Sequence, residues 1–155
     1  MKVIQEVKGE LLADPSVDVI IQQCKTTNKF DEGLASQIKR MYPKAWEADV
    51  QAAKLGKNTL GSYSWAQVTP VKYVFNVYSY STQGVNKRFT DYDALRKGLE
   101  SAKWYISTML DNPTIGLGHI GCGPGRGDWN IVRKIVSEVF TDYQGEIKII
   151  DNPGA

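Results

Sequence analysis

The sequence predicts an α/β fold in which helices cover both faces of a largely parallel or mixed sheet. Segments with the alternating or β-branched composition of strands are interleaved with segments that have the apolar period of a helix. Their order along the 155 residues is β, β, α, α, β, β, α, β, α, β. Such interleaving is typical of strands joined by crossover helices. Sheets of this kind bind ligands at the carboxyl ends of their strands, where loops enter helices.

Six segments predict strands. The first alternates in hydrophobicity, the second is rich in valine and isoleucine, and the third and fourth are joined by a turn at Pro70. A glycine-broken segment and a short apolar segment complete the set. The predicted strands cover residues 2–7, 17–23, 62–68, 73–80, 114–121 and 146–151.

Four segments predict helices. Pro43 opens one of them, at a first-turn position that proline tolerates. The longest has one apolar stripe with steps of three and four residues, and Thr90 or Asp91 is suited to cap it. The predicted helices cover residues 33–42, 43–55, 89–110 and 128–140.

Composition predicts one globular domain over residues 1–155, with 42% apolar and 23% charged residues. A net charge of +2 suits an anionic ligand but is too small for extended nucleic-acid binding. Cys24 and Cys122 form no metal motif, so we expect reduced thiols in a cytoplasmic protein without metal or cofactor. No signal peptide is visible, and no apolar run approaches the roughly 20 residues that span a bilayer.

The stretch "HIGCGPGRGDW", residues 119–129, places four glycines between a predicted strand and a predicted helix. Glycine lets backbone amides approach a ligand closely, and successive amides can form an anion-binding nest. The following helix N-terminus adds partial positive charge, and Arg126 offers a charged donor, although Pro124 lacks an N–H. The pattern predicts a phosphate or pyrophosphate site; the alternative is a glycine-rich turn without a ligand.

Two familiar phosphate loops do not fit this stretch. A Walker loop ends in Gly-Lys-Ser/Thr, whereas this loop ends in Gly-Asp-Trp, residues 127–129. A Rossmann fingerprint opens the first βαβ unit, whereas this loop lies late in the chain with no ribose-binding acid after it.

Motifs along the whole chain carry a resemblance to a known family. They are "VKGELL" (7–12), "VDVIIQQC" (17–24), "DEGLASQIKRMYP" (31–43), "FNVYSYSTQG" (75–84), "TDYDAL" (90–95) and "IGCGPGRGDW" (120–129). The chain resembles the macro domain, the ADP-ribose-binding fold, and most of all the branch of the yeast-type ADP-ribose-1″-phosphate phosphatase and the terminal ADP-ribose protein glycohydrolase. The resemblance implies a three-layer α/β/α fold with a central mixed sheet of about six strands.

The resemblance also implies an ADP-ribose cleft. Glu10 takes the place of the family's adenine-binding aspartate. The segment 24–33 corresponds to the loop around the distal ribose, and the loop glycines correspond to the diphosphate site. Gln83 matches the glutamine of the family's Thr-Gln motif and is expected to make a polar contact with the ligand. The ligand-binding residues so expected are Glu10, Leu11, Gln23, Cys24, Gly33, Gln83, Gly121, Cys122, Gly123, Gly125, Arg126 and Gly127.

The catalytic residues of the glycohydrolase relative do not carry over. Its lysine after the fourth strand corresponds to residues 79–83, and its loop aspartate corresponds to Gly125. Two candidates remain. Asp128 is suited to orient water or act as a base, or else caps the helix; His119 is suited to carry a proton, or else is a satisfied histidine at a strand end.

Two further groups have open interpretations. Asp31 and Glu32 are either solvated charges or a base near the distal ribose. Cys24 and Cys122 are expected to pack, because no thiolate-activating partner is evident.

Three functions follow from the sequence. The first is an enzyme that removes phosphate from ADP-ribose-1″-phosphate, or ADP-ribose from a modified protein, mainly by positioning the substrate; the Gly-Asp-Trp motif with Asp128 favours the phosphatase form. The second is a non-catalytic module that binds ADP-ribose or ADP-ribosylated protein. The third is an RNA- or nucleotide-binding module, which the charge of +2 disfavours. No membrane partner is expected.

Overall fold

The computed structural model describes residues 4–151. Four α-helices lie in this part of the chain: α1 Gly33–Met41, α2 Pro43–Lys54, α3 Tyr92–Met109 and α4 Trp129–Val139, with a short 3₁₀ helix at Leu11–Ala13. The strands are β1 Gln5–Lys8, β2 Val19–Lys25, β3 Tyr63–Thr69, β4 Lys72–Val85, β5 Arg88–Thr90, β6 Ile115–Leu117 and β7 Ile147–Asp151.

The strands form one mixed sheet in the order β1-β7-β6-β2-β4-β3, with β5 also paired to β4. The five strands from β1 to β4 in this order run parallel. Only β3 and β5 run antiparallel to their neighbour. The predicted α/β/α fold is therefore confirmed, with seven strands in place of about six.

Helices cover both faces of the sheet. Successive side chains of the central strand β2 point to opposite faces, and each set is buried against a different pair of helices. Val19 and Ile21 are fully buried in the core formed with α3 and α4. Ile20 and Cys24 are buried in the second core, formed with α1 and α2. A strand buried on both faces reads as a continuous apolar run, as β2 does. No helix within residues 4–151 has the length and hydrophobicity needed to cross a bilayer.

Three predicted boundaries are corrected. Residues 2–3 of the first predicted strand lie outside the described residues, and that strand continues to Lys8. Residues 89–90, predicted to start a helix, belong to β5 instead, and Asp91 caps α3 by accepting from Ala94 N at 3.0 Å. β6 ends at Leu117, because the chain turns after Gly118.

Candidate functional site

A cleft of about 760 Å³ runs along the carboxyl edge of the parallel strands. Its lining follows the order of the sheet: Glu10 after β1, Asp151 at the end of β7, Gly118 after β6, Lys25 at the end of β2 and Tyr80 on β4. Five neighbouring strands span four intervals of about 4.8 Å, or about 19 Å in all. The cleft therefore suits an extended ligand that lies across the strand ends.

The glycine-rich loop after β6 forms one wall of the cleft and is folded back on itself. Gly127 N donates to Gly121 O at 2.7 Å, and Gly121 has a φ of 76°, which favours glycine. Gly125 O accepts from Phe89 N and Thr90 N, at 2.9 and 3.0 Å. The second half of the loop is therefore bound to β5 rather than open to a ligand.

Three hydrogen-bonded polar side chains fix the loop to the sheet. Thr90 Oγ1 donates to Gly121 O at 2.7 Å and accepts from Gln23 Nε2 at 2.9 Å. Gln23 Nε2 also lies 3.0 Å from Ser79 Oγ. Because β2, β4 and β5 contribute one side chain each, the sheet itself determines where the loop lies.

The first half of the loop keeps backbone donors available. Among the described residues, the amides of Gly121 and Gly123 have no protein acceptor, and both glycines line the cleft. A Cβ added to Gly123 would meet no atom within 4 Å, so the space beside it is open. Unpaired amides beside open space are the features of an anion-binding loop.

The cleft brings together nine of the residues expected in the site. They are Glu10, Leu11, Gln23, Cys24, Gly33, His119, Gly121, Cys122 and Gly123. Five others lie outside its lining: Gln83, Gly125, Arg126, Gly127 and Asp128. Gln83 is exposed near the end of β4, and Arg126 is exposed with a φ of 58°.

Asp128 acts as a helix cap. Its Oδ1 accepts from Asn130 N at 2.8 Å, and its own N–H donates to the Tyr92 hydroxyl at 2.9 Å. Capping is the role that we gave as the alternative to catalysis for Asp128, since aspartate is common before a helix. Asp128 thereby occupies one of the backbone donors at the α4 N-terminus.

His119 lines the cleft and stacks on Trp129, with ring centroids 4.3 Å apart and an interplanar angle of 17°. Trp129 Nε1 in turn donates to Glu6 Oε1 at 3.1 Å. His119 follows β6, the strand between β7 and β2, and so lies near the middle of the cleft, one strand from the β2 end that leads into the segment 24–33.

Sequence reasoning missed Lys25. Its Nζ lies 3.0 Å from Asp31 Oδ1 and 2.5 Å from Glu32 Oε1, and all three residues line the cleft. The Lys25 side chain is 17% exposed, against 54% and 48% for the two carboxylates. The polar residues after β2 indicate a loop, but the sequence does not indicate that the Lys25 side chain contacts Asp31 and Glu32.

Both cysteines lie at the cleft as free thiols. Burial, with a contribution from Asp49, raises the pKa of Cys24 well above its usual value. Burial, with a contribution from Asp128, raises the pKa of Cys122 to about 11. A raised pKa keeps a thiol protonated, so neither is an activated nucleophile. Within residues 4–151 no group of three or more His, Cys, Asp or Glu side chains is placed to hold a metal ion.

Two curated relatives match nearly the whole chain. An uncharacterized 17.5 kDa protein from the tk-vs intergenic region of Enterobacteria phage T4 is 30% identical over 154 residues, with 96% of each chain covered. A DNA ADP-ribosyl glycohydrolase of Thermus aquaticus is 25% identical over 96% of this chain. The match spans only 42% of that glycohydrolase. No protein-family model matches the chain.

Solved structures share the fold. The macrodomain of Thermus aquaticus DarG superposes with a TM-score of 0.81 at 23% identity, over 97% of this chain and 99% of the other. DarTG of Thermosipho africanus, solved in complex with ADP-ribose, has a TM-score of 0.80 at 15% identity, over 100% of this chain and 44% of that one. The phage relative, 30% identical over 96% of both chains, shows that these two proteins belong to one family, and the solved structures show that the chain has the macrodomain fold.

Proposed function

We propose that the cleft binds ADP-ribose and that the chain hydrolyses an ADP-ribose derivative at its distal ribose. The observation that carries the proposal is the unpartnered amide of Gly123 beside open space in the cleft, with the unpartnered amide of Gly121 in the same lining. The macrodomain fold supports it, as does the ADP-ribose bound to a solved structure of the same fold.

The order of the cleft lining supports one direction for the ligand. The adenosine end lies by Glu10 and Leu11, where a carboxylate can accept from an exocyclic amino group. The diphosphate lies against the amides of Gly121 and Gly123. The distal ribose then reaches the segment 24–33, at the end of β2.

Hydrolysis of a bond to the distal ribose is the reaction class we favour. The glycohydrolase relative, by its name, acts on ADP-ribosylated DNA. An ADP-ribosylated protein and ADP-ribose-1″-phosphate are the other candidate substrates. Since Asp128, which favoured the phosphate ester, caps α4 outside the cleft lining, we place the phosphatase reaction after the two glycosidic ones.

The test combines calorimetry with product analysis. We expect ADP-ribose to bind the wild type, with AMP binding more weakly because it lacks the distal phosphate and ribose. Gly123→Val should abolish binding by filling the open space beside the amide, without a clash in the free protein. Thermal unfolding is the control for folding. Unchanged affinity in Gly123→Val would contradict the placement of the diphosphate.

Product analysis then separates the substrates. ADP-ribosylated DNA, an ADP-ribosylated protein and ADP-ribose-1″-phosphate are each incubated with the wild type, and released ADP-ribose is measured. We expect release from at least one of the two glycosidic substrates, at a faster rate than phosphate release.

A second function is a non-catalytic module that binds ADP-ribosylated partners. Two features favour it: residues 79–83 contain no lysine, and Gly125 has no side chain where the resemblance to the terminal ADP-ribose protein glycohydrolase implies an aspartate. Binding of ADP-ribose without turnover of any of the three substrates would select this function.

A further inference from the structure

Lys25 reaches the cleft through an irregularity in the sheet. Cys24 pairs with Tyr78 of β4, but Lys25 pairs with Tyr80, so β4 has one extra residue at this point. An extra residue of this kind re-aims side chains at the end of a strand. The Lys25 Nζ lies 5.1 Å from the centroid of the Tyr80 ring. The Lys25 ammonium, which comes from β2, thereby lies beside the β4 residues 79–83. These residues correspond to the catalytic lysine of the terminal ADP-ribose protein glycohydrolase but contain no lysine themselves.

The ammonium is held between two carboxylates. Burial favours the neutral form of Lys25, but hydrogen bonds to Glu32 and Asp31 outweigh it and raise the pKa of Lys25. The hydrogen bond from Lys25 also lowers the pKa of Asp31, and the charge of Lys29 acts in the same direction. Lys25 is therefore a cation at neutral pH, and the Asp31 carboxylate is ionised.

This cluster borders the reacting end of the cleft. Asp31 and Glu32 directly precede Gly33, which begins α1 with a φ of 60°. A Cβ added to Gly33 would lie 3.5 Å from the Pro124 ring, so the start of α1 meets the glycine loop here. A distal ribose that extends from the loop amides reaches these carboxylates next.

We propose that Asp31 and Glu32 supply the general base of the hydrolysis and that Lys25 is the positioning residue that holds them beside the distal ribose. The inference rests on the proposed function. In the step, a water oxygen bonds to the anomeric carbon as a carboxylate takes one water proton. The bond from that carbon to the displaced group breaks, the displaced group keeps the electron pair, and the carboxylic acid returns the proton to it.

The experiment uses Lys25→Met, Lys25→Arg and the double variant Asp31→Asn/Glu32→Gln. Lys134→Met, on the exposed side of α4, is the matched loss of one lysine charge. For each protein we measure ADP-ribose affinity by calorimetry, thermal unfolding, and kcat and kcat/KM over pH, with whichever of the three candidate substrates the wild type hydrolyses fastest.

We expect the double variant to lose about 100-fold or more in kcat, because it removes the base. Lys25→Met should lose a similar factor while its ADP-ribose affinity stays within about threefold of wild type. Its acidic limb of kcat/KM should move to higher pH, since Lys25 no longer lowers the pKa of Asp31. Lys25→Arg should recover most of the activity, and Lys134→Met should match wild type.

Three results would overturn the inference while leaving ADP-ribose binding intact. The first is turnover at the wild-type rate in Lys25→Met or in the double variant. The second is an equal loss of kcat, affinity and unfolding temperature in both Lys25 variants. The third is a wild-type protein that binds ADP-ribose but hydrolyses none of the three substrates. A wild type that binds no ADP-ribose would instead remove the proposed function and this inference together.

Discussion

Gly125 is buried between β2 and β5, and an added Cβ would lie 2.7 Å from Gln23 Oε1 and 2.9 Å from Gly121 O. Thr90 Oγ1 would be closer still. The sequence pattern assigned all the loop glycines to the ligand. The structure divides them: Gly121 and Gly123 line the cleft, whereas Gly125 and Gly127 allow the loop to pack.

Gly125→Ala is expected to destabilise the protein by about 1–3 kcal/mol, because neighbouring backbone and side chains must move apart. Gly123→Ala is the matched control: the added methyl group meets nothing, so stability should change by less than about 0.5 kcal/mol. Urea unfolding of both variants measures the difference. Equal stability of the two would contradict the packing assigned to Gly125.

At the scale of elements, the hairpin of β4 and β5 determines where the glycine loop lies. The helical pattern of 89–110 extended over residues that β5 uses, because a three-residue strand has too few positions to show a period. The role of β5 depends on partners that are distant in sequence, since Gln23 and Thr90 are 67 residues apart.

Thr90→Val is expected to remove both hydrogen bonds of the buried hydroxyl, so that Gly121 O keeps only Gly127 N and Gln23 Nε2 keeps only Ser79 Oγ. Loss of the two hydrogen bonds should cost about 1–3 kcal/mol, and a loosened loop should also bind ADP-ribose more weakly. Chemical unfolding and calorimetry measure the two effects. Thr90→Ser, which keeps the hydroxyl, is the control; a Val variant as stable as the Ser variant would count against this anchor.

At the scale of the whole molecule, a buried polar network joins the layer of α1 and α2 to the sheet. The Tyr78 hydroxyl of β4 donates to Asp49 Oδ1 of α2 at 2.6 Å and lies 2.8 Å from Ser64 Oγ of β3. Asp49 is fully buried, and its Oδ2 has no partner among the described residues. Burial raises the pKa of Asp49, although the Tyr78 hydrogen bond partly opposes this.

A raised carboxyl pKa in the folded state means that the ionised form opposes folding. This penalty is fully present above the folded pKa of Asp49, shrinks as the pH falls through it, and disappears below the unfolded value, near 3.8. Asp49→Asn keeps an acceptor for Tyr78 without the charge. It should therefore stabilise the protein at pH 7 by about 1 kcal/mol, with a smaller gain at pH 4.

Urea unfolding at the two pH values measures this prediction. Asp111→Asn is the control, because Asp111 is exposed and has no ion pair among the described residues. A loss of stability in Asp49→Asn at pH 7, or a gain of the same size at pH 7 and pH 4, would contradict the penalty assigned to the ionised carboxylate.

The sequence by itself determined the α/β class, the order of most elements and the glycine loop ahead of α4. These features depend on local periodicity and on residue types that specify a turn. Only the tertiary structure decided that Lys25 meets Asp31 and Glu32 beside Tyr80, that half of the loop is packing, and that Asp128 caps a helix outside the cleft lining. The reason is physical: such contacts depend on strand order and register, and one residue of register decides which side chain faces the cleft.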